Sequence, residues 1–178
     1  SPYAYLQDFA LGSFKLCDAR ISINPSEAAN QIGNDHTLII STEKKDASTG
    51  FDWGPASGAS VTASLENFDG ATSDFVNGIN TCTTTNDGTC SVSTNSPTTG
   101  GSTVSASADI SLADDSILTR STDGEAPNSD AAAKRWVDAR LSLAPIAAAN
   151  QVNTDHAISV KLEFDYGDGT GFVPAPDG

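Results

Sequence analysis

Residues Cys17 to Ile40 and Val137 to Val160 are two copies of one pattern, offset by 120 positions. Of the 24 aligned positions, 11 are identical: Asp18, Ala19, Arg20, Ser22, Pro25, Ala28, Ala29, Asn30, Gln31, Asp35 and His36. The likeness resumes at Gly50-Phe51 against Gly171-Phe172. A spacing of this size is too long for a solenoid repeat and fits a whole domain in a tandem array. The second copy reaches Gly178 with less than half of the unit present. The expectation is one full unit plus the opening of the next.

Within each copy the apolar residues recur at every second position, the period of a half-buried strand. Cys17, Ala19, Ile21 and Ile23 share one face, as do Val137, Ala139, Leu141 and Leu143. Leu38, Ile40 and Thr42 follow, then Val61, Ala63 and Leu65, then Cys90, Val92 and Thr94. The longest run is Val104, Ala106, Ala108, Ile110 and Leu112. Turn clusters separate the runs, such as Gly33-Asn34-Asp35, Gly54-Pro55 and Asn67 to Gly70. Short strands with one apolar face and frequent turns describe an all-β sandwich. The expected division is an N-terminal segment (1–15), a β-sandwich (16–120), an acidic linker (121–135) and the start of a second repeat (136–178). The stretch Asp130 to Trp136 reads as a helical turn.

The net charge is −14, and between Asp46 and Thr119 nine Asp or Glu stand with no Lys or Arg. Such a surface repels nucleic acid and anionic membrane, which excludes those partners. No apolar run is long enough to span a membrane. Cys82 and Cys90 flank Asn86-Asp87-Gly88 symmetrically, so a hairpin would bring them together. They are read as a disulfide, which implies an oxidising, extracellular or cell-surface location. Cys17 aligns with Val137 and is expected as a buried free thiol.

The chain resembles the bacterial immunoglobulin-like repeats of secreted and surface-anchored proteins, the broad intimin/invasin-type group. The residues that carry the resemblance are Asp138 to Pro145, Ala149 to Val152, Ala59 to Leu65, Asn86 to Val92, and Gly100 to Ala106. It covers Leu16 to Arg120 and resumes at Trp136. The resemblance implies immunoglobulin-like sandwiches in tandem, the second copy incomplete, with a spacer or presenting role. It transfers no catalytic residue.

Candidate chemistry is sparse. His36 and His156 occupy the same position in the two copies, and no nucleophile motif accompanies them. His36 is expected to close the core with a hydrogen bond. Asp123, Glu125 and Asp130, with Asn128, could converge on a weak calcium site in the linker, although no loop holds the six to eight oxygens calcium prefers. No other cofactor is expected. Trp53, in a Gly-Pro loop without a counterpart in the second copy, is the one platform for a glycan. Tyr3, Tyr5, Phe9 and Leu11, at or near even spacing, could form an assembly strand donated to a neighbour.

These features predict a non-enzymatic, extracellular structural repeat protein forming a rigid surface stalk or filament. Its partners would be further repeats or copies of itself. The alternative is an adhesin-type module contacting a glycan or protein through loops; a third reading is an accessory domain of a secreted hydrolase. The second copy lacks strands to cover Leu141, Leu143, Ile158, Val160 and Leu162. The expectation is that continuation of the chain or a neighbouring subunit covers them.

Overall fold

A computed structural model describes residues 15–176. The strands in chain order are β1 (Asp18–Asn24), β2 (Glu27–Gln31), β3 (His36–Lys45), β4 (Gly54–Pro55), β5 (Ser60–Phe68), β6 (Asp74–Phe75) and β7 (Thr81–Thr83). They continue with β8 (Thr89–Asn95), β9 (Gly100–Ser111), β10 (Ile117–Ser121), β11 (Ala132–Ala144), β12 (Ser159–Asp165) and β13 (Val173–Pro174). The fold is all-β, with two sheets packed face to face. One sheet runs β1-β3-β8-β6, with β4 beside β3. The other runs β11-β9-β5-β7, with β10 also on β9 and β2 parallel to β11.

The alternation in the sequence is the reason for this layering. Ala19, Ile21, Ile23, Leu38 and Ile40 point inward from the first sheet. Val61, Ala63, Val104, Ala106, Ala108 and Ile110 meet them from the second. Each large side chain buried this way contributes roughly 1.5–3 kcal/mol. Small residues, Ala63, Ala106 and Ala108 among them, make up much of the core that β5 and β9 contribute.

Four local expectations change. Cys17 is exposed, because it precedes the first paired residue of β1 and lies outside the ladder that covers Ala19. Asp130 to Trp136 contains no helical turn: Ala132 onward is strand, since Ala132, Lys134 and Trp136 alternate inward against the sheet. The stretch 121–135, expected as a linker, holds the end of β10 and the start of β11. Its middle is tied to the sandwich, with the Ser129 amide donating to the Ile21 carbonyl at 3.0 Å.

The turn at Asn86 does not close a hairpin. β7 pairs with β5 in one sheet and β8 with β3 in the other, so the turn carries the chain between sheets. Both flanks find their ladder partners elsewhere. Gly88, at φ 76°, brings its carbonyl to the Thr42 amide at 2.8 Å, and a Cβ there would lie 2.5 Å from the Thr42 carbonyl. The Cys82–Cys90 disulfide, with Cα atoms 5.9 Å apart, therefore staples one sheet to the other.

Candidate functional site

The most distinctive region is the junction between the two copies, and β11 builds it. Ala132 to Trp136 pair with Val104 to Gly100 of β9, completing the first unit. Asp138 to Ala144 pair with Asp165 to Ser159 of β12, a ladder formed by the second copy of the sequence pattern. One strand of 13 residues, ~40 Å long at the usual rise, thus runs from the first sandwich into the β12 ladder with no intervening loop. Trp136, fully buried, plugs the end of the first core and donates from its indole nitrogen to Ser102 at 3.1 Å.

The loop after β12 docks back onto the first unit. Thr99 donates to the Asp165 carboxylate at 2.8 Å, and Arg135 donates to the Gly167 carbonyl at 2.6 Å. Arg135 also pairs with Asp69 at 2.7 Å. Gly167 has φ 68°, and a Cβ on it would stand 2.4 Å from the Trp136 carbonyl, so this close approach requires glycine.

A second motif recurs in both copies. Arg20 pairs with Glu43 at 2.6 Å and lies over the Trp53 ring at 4.4 Å. Arg140 pairs with Glu163 at 2.9 Å and lies over the Phe172 ring at 4.2 Å. In the ladders Glu43 faces Pro55 and Glu163 faces Pro174, so the structural partner of Phe172 is Trp53, not Phe51. The expectation that Trp53 lacks a counterpart is thereby corrected. The loop of the second copy is one residue shorter, which shifted the sequence alignment. The Arg20 guanidinium occupies one face of the Trp53 ring, the kind of face a sugar would stack on.

The third feature is a polar cluster at the end of the first core. Lys134 points inward between Ala132 and Trp136 and is only 2 % exposed. Its amine donates to Oδ1 of Asn30 on the neighbouring β2 and sits 5.1 Å from the centre of the Trp136 ring. Burial pushes the Lys134 amine down to about 8. His36 is half-buried, and its pKa is lowered first by burial and then by the Lys134 charge. Its Nε2 has no hydrogen-bond partner, contrary to the expected core-closing bond. Thr94, opposite His36 on β8, also leaves its buried hydroxyl unpaired.

Of the acidic candidates, Asp123 accepts from the Glu125 amide at 3.1 Å and from Asn128 at 3.2 Å. Among the described residues, no group of three or more His, Cys, Asp or Glu comes close enough to hold a metal. Tyr3, Tyr5, Phe9 and Leu11 lie outside the described residues. Sequence reasoning missed the roles of Arg20, Glu43, Asn30 and Lys134. The signal for the first pair was available, since Arg20/Arg140 and Glu43/Glu163 keep the same offset of 120. Lys134 stands outside the aligned copies and gave no such signal.

No protein-family model, curated protein or solved structure matches this chain. Among the described residues, no helix is long and apolar enough to cross a membrane.

Proposed function

We propose that this chain is a non-enzymatic structural repeat protein, whose immunoglobulin-like units join end to end into a rigid extracellular stalk or filament of the intimin/invasin type. The observation that carries this reading is β11. A strand shared by two units transmits orientation and tension from one to the next without a hinge. The docked Asp165–Gly167 loop adds a second point of contact, which resists bending. The strand orders β1-β3-β8-β6 and β11-β9-β5 support the immunoglobulin-like assignment, since they follow the ABED and GFC arrangement of that sandwich, with β7 added at the edge beside β5. The disulfide supports an oxidising compartment. Excess negative charge keeps neighbouring stalks apart in water.

Small-angle scattering on concatemers of residues 17–136 tests the reading. The expected outcome is a maximum dimension that grows in proportion to the number of units. Growth with the square root of that number, the behaviour of freely jointed beads, would overturn it.

A further inference from the structure

We propose that Lys134 and Asn30 join in an intramolecular isopeptide bond, so that the first unit is covalently locked between β2 and β11.

The argument begins with the cost of a lysine at this position. Ala132, Lys134 and Trp136 form one inward-facing row, and both neighbours of Lys134 are fully buried. A charged amine there has lost its water and receives a single neutral acceptor, Asn30 Oδ1. No carboxylate pairs with it among the described residues. An apolar residue would fill the row at lower cost, so the amine calls for a chemical reason.

The surroundings favour acyl transfer. The amine touches the carboxamide it would attack, which removes the entropy of bringing the two together. The Trp136 ring covers one side of the amine, which keeps competing water from that side. Burial lowers the basicity of the amine, so a useful fraction is neutral and nucleophilic at neutral pH. Asn30 recurs in the second copy, as Asn150.

The step balances. The Lys134 ammonium releases one proton to water. The free amine attacks Asn30 Cγ, and the bond from Nζ to Cγ forms. The bond from Cγ to Nδ2 breaks, and the departing nitrogen receives one proton from water and a second proton from Nζ. One ammonium and one carboxamide become one secondary amide and one ammonium ion. Nothing is oxidised or reduced. The product is an uncharged amide in place of a buried cation.

The consequence is mechanical. β2 lies near the beginning of the unit and β11 at its end, paired in parallel at Asn30 and Trp136. Force entering through β1 and leaving through β11 would pass across the new bond, leaving most of the sandwich unloaded.

The test is intact-mass spectrometry of the full 178-residue chain, denatured, reduced and alkylated, followed by peptide mapping. The expected mass is lower than the sequence mass by one ammonia. Digestion should give a branched peptide joining the segments around Asn30 and Lys134. Lys134→Arg and Asn30→Ala should each restore the full sequence mass. A wild-type chain at full sequence mass overturns the proposal. So does an ammonia loss that maps to Asn77-Gly78, where a cyclic imide would give the same deficit.

Discussion

The two copies of the repeat form the same ladder and meet different fates. β1 pairs with β3 so that Ile21 faces Thr42 and Ile23 faces Ile40. In the second copy Leu141 faces Leu162 and Leu143 faces Val160, in the same register. Ile21 is 0 % exposed and Leu141 is 65 % exposed; Ile40 is 0 % exposed and Val160 is 62 % exposed. The difference lies in what covers them. β5 and β9 pack over the first copy, and among the described residues no such sheet lies over the second. Pairing is a local matter of alternation and backbone hydrogen bonds. Burial is a property of the opposite sheet.

The largest effect that could break this comparison is a matched pair of truncations. Ile21→Ala should cost about 2–5 kcal/mol of stability in denaturant melts, because it opens a cavity in a closed core. Leu141→Ala should change stability by no more than about 0.5 kcal/mol, as an exposed site does. Equal losses at both positions would mean that the second face is covered in solution, and the same pair of variants would then report what covers it.

The disulfide comes next. Replacing Cys82 and Cys90 with serine should cost about 2–3 kcal/mol by the loop-closure estimate for so short a loop. The loss belongs to the first unit, where the bond joins the two sheets. Amide exchange across the β11–β12 ladder should be unchanged, since no cysteine stands in the second copy. Faster exchange there would show that the two regions unfold as one.

The smallest effect concerns acid. Asp46 is buried, which by itself would raise its pKa; hydrogen bonds from Ser48, Lys44 and the Ala113 amide outweigh this and hold it at about 2. The folded value is below the unfolded one, so the contribution is full above about pH 4 and is lost as pH falls towards 2. Asp46→Asn should flatten the acid limb of the stability profile. The corresponding position in the second copy is Tyr166, which cannot act as such a clamp. An acid limb unchanged by Asp46→Asn would place the titration elsewhere.

Much of the fold was legible in the sequence. The inward parity of Ala19, Ile21, Leu38, Ile40, Val61, Ala63, Val92 and Val104 through Ile110 follows from alternation alone, because a strand has one period and two faces. The cysteine pairing was also legible, but its role was not. Symmetry about Asn86 suggests a hairpin, while the actual crossing between sheets depends on β5 and β3 competing for the two flanks. The boundary at β11 was hidden for a related reason. A linker composition at 121–135 says nothing of Ala132 and Lys134, whose burial depends on β9 and β2 lying beside them.

By itself the sequence determined the repeat, the strand periodicity, the acidic surface and the residues that recur in both copies, Asn30, His36 and Arg20 among them. These are set by neighbours within a few positions or by direct comparison of one stretch with another. Only the tertiary structure decided that β11 pairs with both β9 and β12, that the disulfide joins two sheets, and that Lys134 meets Asn30 from more than a hundred residues away. Those contacts arise from packing between distant segments, and the energy that selects them resides in surfaces that exist only once both sheets have formed.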